Sequence, residues 1–316
     1  MTTNDPIAAT HQRAARDERV VGLCYGLGAY TWWGSVVPLY LKLLRDAPAL
    51  ELLAQRVVFG LPVLLLLLAS RNGMPELRRV LRDKRARLVL LASAVLLATN
   101  WFAFIYSVVN ARLMDSSLGY YINPLVSVAL GMIFLGERQR TTQWVAIILA
   151  AAAVTIMTIQ RGELPWISVT VALTFGTYGL VRKTVRAGAT VGLTIELLAM
   201  LPFAIGLYAW LIISGKAMLV STGDQAASLG TAALMVLGGA VVIAPLVWFS
   251  AAARRLRLST MGLLQYLAPT GQFLIAVFSG EPLHPYRLAA FVLIWIALFL
   301  FSFDSIRARF RAERPA

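Results

Sequence analysis

The chain has 316 residues, of which 59% are hydrophobic and 14% charged, and its mean hydropathy is +0.73. A soluble domain of this size carries roughly 45–50% apolar and about 25% charged residues, so a soluble protein is excluded. The net charge of +14 does not mark a nucleic-acid binder, because the basic residues lie between apolar runs and build no patch on a soluble domain.

Residues 1–19 are polar and read as a disordered cytoplasmic tail. Apolar runs of about 20 residues follow, long enough to cross a bilayer as helices. They fall near 20–40, 49–69, 88–109, 114–135, 143–159, 167–181, 192–213, 231–251, 259–278 and 288–305, and 306–316 forms a second cytoplasmic tail. Barrel strands are excluded, since these would alternate over about 10 residues. The fold class is therefore an all-α polytopic membrane protein. With the N-terminus inside, 22 lysines and arginines face the cytoplasm and 6 face outward, while Arg56 lies within a span. That bias puts both termini in the cytoplasm and offers a surface to anionic membrane lipid.

The first span follows Arg13, Arg16 and Arg19, and Ala47-Pro48-Ala49 resembles a cleavage site. Its apolar stretch is too long for a signal peptide and holds Trp32 and Trp33, so it reads as a retained helix. Cys24, the one cysteine, reads as an apolar packing residue and excludes an intramolecular disulfide or a Cys-rich metal site. The segment 71–87 carries Arg78, Arg79, Arg82, Lys84, Arg85 and Arg87, with Leu77, Val80, Leu81 and Leu88 at helical spacing. It is either an amphipathic helix on the inner membrane face or a solvated basic loop. Residues 160–163 form a very short linker, Arg182, Lys183 and Arg186 an inner loop, and 214–230 an external, flexible loop.

Shifting the sequence by 145 lays Glu51–Ala54 on Glu196–Ala199, Trp33-Gly34 on Tyr178-Gly179, and Tyr121-x-x-Pro124 on Tyr266-x-x-Pro269. Trp101-Phe102 meets Trp248-Phe249 at a shift of 147. The halves, 20–160 and 165–305, hold five spans each. A unit crossing the bilayer an odd number of times returns inverted when repeated, so the chain reads as two inverted five-helix repeats. Alternating-access transporters are commonly built this way.

Pro124 and Pro269 fall near the middle of spans 4 and 9. A proline there deprives the carbonyls of Tyr120 and Gln265 of their usual partners, and paired breaks near the midplane point to a transport site. Around them stand Tyr120, Tyr121, Asn123, Gln265 and Tyr266, with Asn100 and Trp101 in span 3 and Trp33 in span 1. Flat aromatic faces beside amide donors suit a partly apolar organic ligand; interhelical hydrogen bonding is the plainer alternative. Arg56 lies about 11 Å into span 2 at about 1.5 Å per residue. Burying it costs about 2.5–3.5 kcal/mol. A substrate anion, a carboxylate partner, or a clamp onto helix-end carbonyls would explain it. Its repeat-mate is Leu201, so the charge belongs to one half. Glu51 and Glu196 are repeat-mates that invite a proton-coupling role. Each also stands near a helix N-terminus, where a carboxylate is favoured and where both could be wet. His11 and His284 are the two histidines; there is no metal motif, P-loop or hydrolytic constellation, so no cofactor and no enzyme is expected.

Several stretches resemble RarD-type proteins of the EamA group in the drug/metabolite transporter superfamily. They are Ser117-Leu118-Gly119-Tyr120-Tyr121-Ile122-Asn123-Pro124-Leu125-Val126, the run Gly131–Arg138, Trp33-Gly34 with Pro38, and Asn100-Trp101. Tyr178–Lys183, Arg255–Thr260 with Gln265-Tyr266, and Pro269-Thr270 also match. The resemblance spans about 21–305 and implies ten helices in two inverted repeats, a central cavity and an inner-membrane location. The family is customarily labelled chloramphenicol-sensitive, which names a phenotype. The pattern has His before the span 2 arginine, where this chain has Gln55. The combined expectation is a secondary transporter exporting a small organic metabolite or drug. Arg56 would orient its polar or anionic group and the aromatics of spans 3, 4 and 9 would hold its apolar part. A membrane-embedded enzyme on lipid-linked substrates and a non-transporting scaffold or sensor are the alternatives.

Overall fold

The computed structural model describes residues 6–44, 46–109, 113–161, 166–221 and 227–278, and beyond them 285, 288–289, 292–297, 299–300 and 303–304. All regular structure among the described residues is helical. The helices are α1 (Pro6–Gly34), α2 (Val36–Leu43), α3 (Ala49–Val58), α4 (Gly60–Ser70), α5 (Met74–Arg82), α6 (Lys84–Val109) and α7 (Leu113–Leu135). They continue as α8 (Thr141–Arg161), α9 (Trp166–Thr184), α10 (Ala189–Ile213), α11 (Leu229–Arg255), α12 (Leu258–Leu264) and α13 (Leu267–Phe278). Five are long and apolar enough to cross a membrane: Ala49–Ser70 taken through α3 and α4, Lys84–Ser107, Thr141–Gln160, Ala189–Ile213 and Leu229–Arg255. Leu66, Phe203, Ile213 and Leu229 stand on their outer faces, and Ile133 of α7 and Phe278 of α13 are likewise exposed, as expected where lipid replaces water.

Proline placement explains where spans divide. The first span breaks at Ser35, the second at Phe59 and the ninth at Gln265-Tyr266. In each, the second piece carries a proline in its first turn: Pro38 in α2, Pro62 in α4 and Pro269 in α13. That is where a missing N–H leaves no intrahelical bond unmade. The helix α7, in contrast, runs on through Pro124.

The helices meet in matched pairs. α1 packs on α11 and α6 on α9; α1 packs on α13 and α7 on α9; α11 packs on α3 and α4 while α10 packs on α6. Two further contacts, α10 with α3–α4 and α7 with α12, join elements that the 145-residue shift aligns with one another. The largest core cluster sits between these layers and includes Tyr30, Leu97, Trp101, Tyr178, Leu197 and Phe249.

Several sequence expectations change. The polar N-terminus joins α1 from Pro6 onward, so it is helical rather than disordered over its described part. Cys24 is exposed on the outer surface of α1 and is no packing residue. The basic segment forms α5, whose Leu77 and Val80 bury against Leu90, Val191 and Ile195, so its apolar side faces protein. The described part of the 214–230 loop is anchored: Met218 and Leu219 both donate backbone N–H bonds to Glu51, at 2.7 and 3.0 Å. Gly162 and Glu163 of the expected linker lie outside the described residues, as does His284, and the expected tenth span, 288–305, is helical where described.

Candidate functional site

The expected site residues separate into three groups. Consecutive residues on a helix point about 100° apart, and Tyr120 and Tyr121 accordingly face different neighbours. Tyr121, 5% exposed, and the fully buried Tyr266 pack with Ala146, Ala150, Ala153 and Ile294. The Tyr266 hydroxyl donates to the Tyr121 carbonyl at 3.1 Å.

Asn100 and Asn123 hold α9. The Asn100 amide donates to the Val171 carbonyl and to Thr174 Oγ1, both at 3.1 Å. The Asn123 amide donates to the Ala172 carbonyl at 2.8 Å. Both are interhelical ties whose donors are engaged. Gln265 is buried, and its backbone carbonyl accepts from Ala268 N–H at 3.1 Å. The expected orphan carbonyl at that position therefore has a partner, supplied by the tight turn between α12 and α13.

Arg56, Trp101 and Tyr120 form the third group. The Arg56 guanidinium lies over the Trp101 ring, 5.9 Å from its centroid, near the face that attracts cations. Tyr120 and Tyr40, the latter on α2, are the titratable side chains within its field. Tyr40 escaped the sequence reading because nothing at that spacing distinguishes it from an interfacial tyrosine. The missing side chains of Gly238 and Gly239 on α11 let this corner close: a Cβ would meet Tyr40 Oη at 2.2 Å and the Phe59 backbone at 2.4 Å. Among the described residues Arg56 makes no hydrogen bond or ion pair; the expected carboxylate partner and carbonyl clamp are both missing. Trp33 extends the aromatic surface, with its ring 5.8 Å from Phe175 and 5.9 Å from Phe249.

The two glutamates are dry, which corrects the expectation of wet helix ends. Glu51 is fully buried, grips the 218–219 backbone and accepts from Gln55 Nε2 at 3.2 Å. Glu196 is fully buried eight positions into α10 and pairs with Arg182 at 3.4 Å. It also accepts from Ser93 Oγ at 2.6 Å and Tyr178 Oη at 3.2 Å. Arg182 completes the network through Ser250 Oγ at 3.2 Å and the carbonyls of Gly188 and Ala189 at 3.3 and 2.9 Å. Assigned to an inner loop from the sequence, Arg182 is in fact inside α9 with no exposed surface. Tyr178 and Arg182, four apart and so on one helix face, were the available signal.

At the end of the helices rich in basic residues, Glu137 ties the end of α7 to the start of α12. Gly136, at φ +62, ends α7 in a left-handed turn, and the Glu137 N–H bonds back to the Gly131 carbonyl at 3.1 Å. This aims the Glu137 carboxylate at the start of α12, where it accepts from Leu258 N at 2.6 Å, Ser259 N at 3.1 Å and Ser259 Oγ at 2.6 Å. The Arg257 side chain donates to the Arg138 carbonyl at 2.7 Å, and Lys183 Nζ donates to the Leu256 carbonyl. Desolvation holds the Lys183 ammonium below the usual lysine range, only partly offset by Glu137.

Residues 20–159 match the model of the EamA-like transporter family. The chain is 40% identical over 300 residues to Protein RarD of Streptomyces exfoliatus, covering 95% of this chain and 93% of that one. An uncharacterised transporter of Pseudomonas aeruginosa is 43% identical over 299 residues, covering 93% and 97%. Protein RarD of Escherichia coli is 38% identical over 294 residues, covering 93% and 97%. A crystal structure at 18% identity superposes with a TM-score of 0.69 over 95% of this chain and all of that one, which shows a shared fold.

Proposed function

Because the chain belongs to the EamA-like transporter family, as a RarD-type bacterial membrane protein, we propose that it is a secondary transporter of a small organic metabolite or drug. It works by alternating access in the inner membrane, with both termini cytoplasmic, and export is the favoured direction. Ten spans form two inverted five-helix repeats around one site. Arg56 orients the polar or anionic part of the solute, and Trp33, Trp101 and Tyr120 contact its apolar part.

One observation carries this reading. The packings of first-half spans on second-half spans described above recur with the halves exchanged, and the pairs α3–α4 with α10 and α7 with α12 meet directly. That is the contact pattern of two units related by a two-fold axis in the membrane plane. The ties made by Glu137, Arg257 and Lys183 support a state closed at the basic end, with Arg56 reached from the other. Glu51 and Glu196 remain candidates for proton coupling, although their bonds favour structural roles.

Purified protein in liposomes should exchange a labelled solute without ATP. Arg56→Ala should insert at equal abundance yet carry nothing. Single cysteines at 82 and 220, in a Cys24→Ser background, should label from opposite sides of the membrane. Labelling of both from one side would overturn the inverted arrangement.

A further inference from the structure

Two arginines on the apolar helices, Arg182 and Arg56, are treated differently by the protein. Arg182 has every part of its guanidinium engaged, by a carboxylate, a hydroxyl and two carbonyls. Arg56 has no hydrogen bond or ion pair among the described residues, and the phenol oxygens of Tyr40 and Tyr120, both within its field, have none either. The Arg56 guanidinium thus stands 5.9 Å over the Trp101 ring with its hydrogen-bonding capacity unused, and the phenols of Tyr40 and Tyr120 lie within its field. A lone charge at this depth is costly, and the nearby glutamates cannot relieve it: Glu51 holds a backbone turn and Glu196 holds Arg182.

Resting on the transport reading above, we infer that Arg56, Tyr40 and Tyr120 form an anion subsite that selects solutes bearing a single carboxylate on an apolar or aromatic body. A guanidinium fork matches a planar carboxylate with two parallel bonds, and two phenols can donate to its remaining lone pairs. Charge limits the class from both sides. Among the described residues, Arg56 is the one cation away from the span ends that makes no hydrogen bond or ion pair, so a dianion would keep an unneutralised charge. A zwitterionic amino acid would bring an ammonium to a corner whose carboxylates are already engaged. The ring of Trp101 beneath the guanidinium offers the flat apolar wall.

The test uses the purified full-length protein and matched probes: phenylacetate, its neutral amide, phenylalanine and inorganic phosphate. Thermal-shift titrations should give phenylacetate an affinity about tenfold or more above each of the others, the discrimination expected of a charge-assisted contact. Arg56→Gln should erase that preference. Tyr40→Phe and Tyr120→Phe keep the rings in place and should each weaken phenylacetate several-fold, which decides the matter should the arginine variant fold poorly. Equal responses to acid and amide, no response to any probe, or phenylalanine binding as well as phenylacetate overturns the proposal. Counterflow in liposomes separates the two claims. Exchange of the amide but not the acid removes the anion subsite and leaves transport standing. A carboxylate-selective shift with no exchange of any solute removes transport and leaves the subsite.

Discussion

Tyr266 donates its hydroxyl to the backbone carbonyl of Tyr121, 145 positions earlier, and the two rings lie 6.5 Å apart. These are the tyrosines that the repeat aligns with one another. Under the proposed inverted repeat these residues would lie beside the axis relating the halves, at the seam where α7 and α12 meet. Tyr266→Phe should lose about 0.6 kcal/mol, the average for hydrogen bonds between membrane helices. Tyr266→Ala should lose about 3–5 kcal/mol by opening a hole beside Ala146 and Ala150. Unfolding midpoints in detergent measure both.

The Arg182–Glu196 pair should behave as a unit. Glu196→Ala leaves a buried guanidinium without its carboxylate and should cost about 3–5 kcal/mol. Arg182→Met with Glu196→Met should be clearly less damaging than the sum of its single changes. A double-mutant cycle on thermal stability checks this; additive losses would mean that the two side chains do not interact.

A structural role for the glutamates makes a separate prediction. Glu51→Gln and Glu196→Gln should reduce stability while the pH profile of transport in vesicles keeps its wild-type shape. Loss of that pH dependence at equal membrane abundance would instead assign them to proton coupling.

Glu137→Ala should loosen the start of α12, since three donors lose their acceptor. Charged hydrogen bonds contribute about 1.5–3 kcal/mol. Amide exchange at Leu258 and Ser259 should rise by one to two orders of magnitude, while α6 should exchange at its wild-type rate. Unchanged exchange at both amides would mean the carboxylate does not hold this helix.

Gly239→Ala should be severely disruptive, because its Cβ would sit 2.4 Å from the Phe59 backbone where α11 crosses the α3–α4 break. Overpacking of this kind costs about 1–3 kcal/mol or more. Gly206→Ala on α10 is the control: nothing lies within 4 Å of its Cβ, and it should be neutral or slightly stabilising. Yield and monodispersity after extraction report both.

Runs of apolar residues, the lysine and arginine asymmetry and the 145-residue echo are all local properties of the chain. They were sufficient to indicate membrane helices and the resemblance to a family, because a bilayer filters segments by length and polarity before any tertiary contact forms. Arg56 stood out for the same reason: a charge within an apolar run is conspicuous without neighbours. What each polar side chain does depends on its partner, and partners here lie up to 237 positions away, as Glu18 and Arg255 do. Only the folded chain could reveal that Glu196 answers Arg182, that Asn100 and Asn123 clamp α9, that Glu137 holds α12, and that Arg56 has no hydrogen-bond partner among the described residues. Hydrogen bonding is short-ranged and directional, so spacing along a helix tells which face a group occupies. Packing alone decides what that face meets.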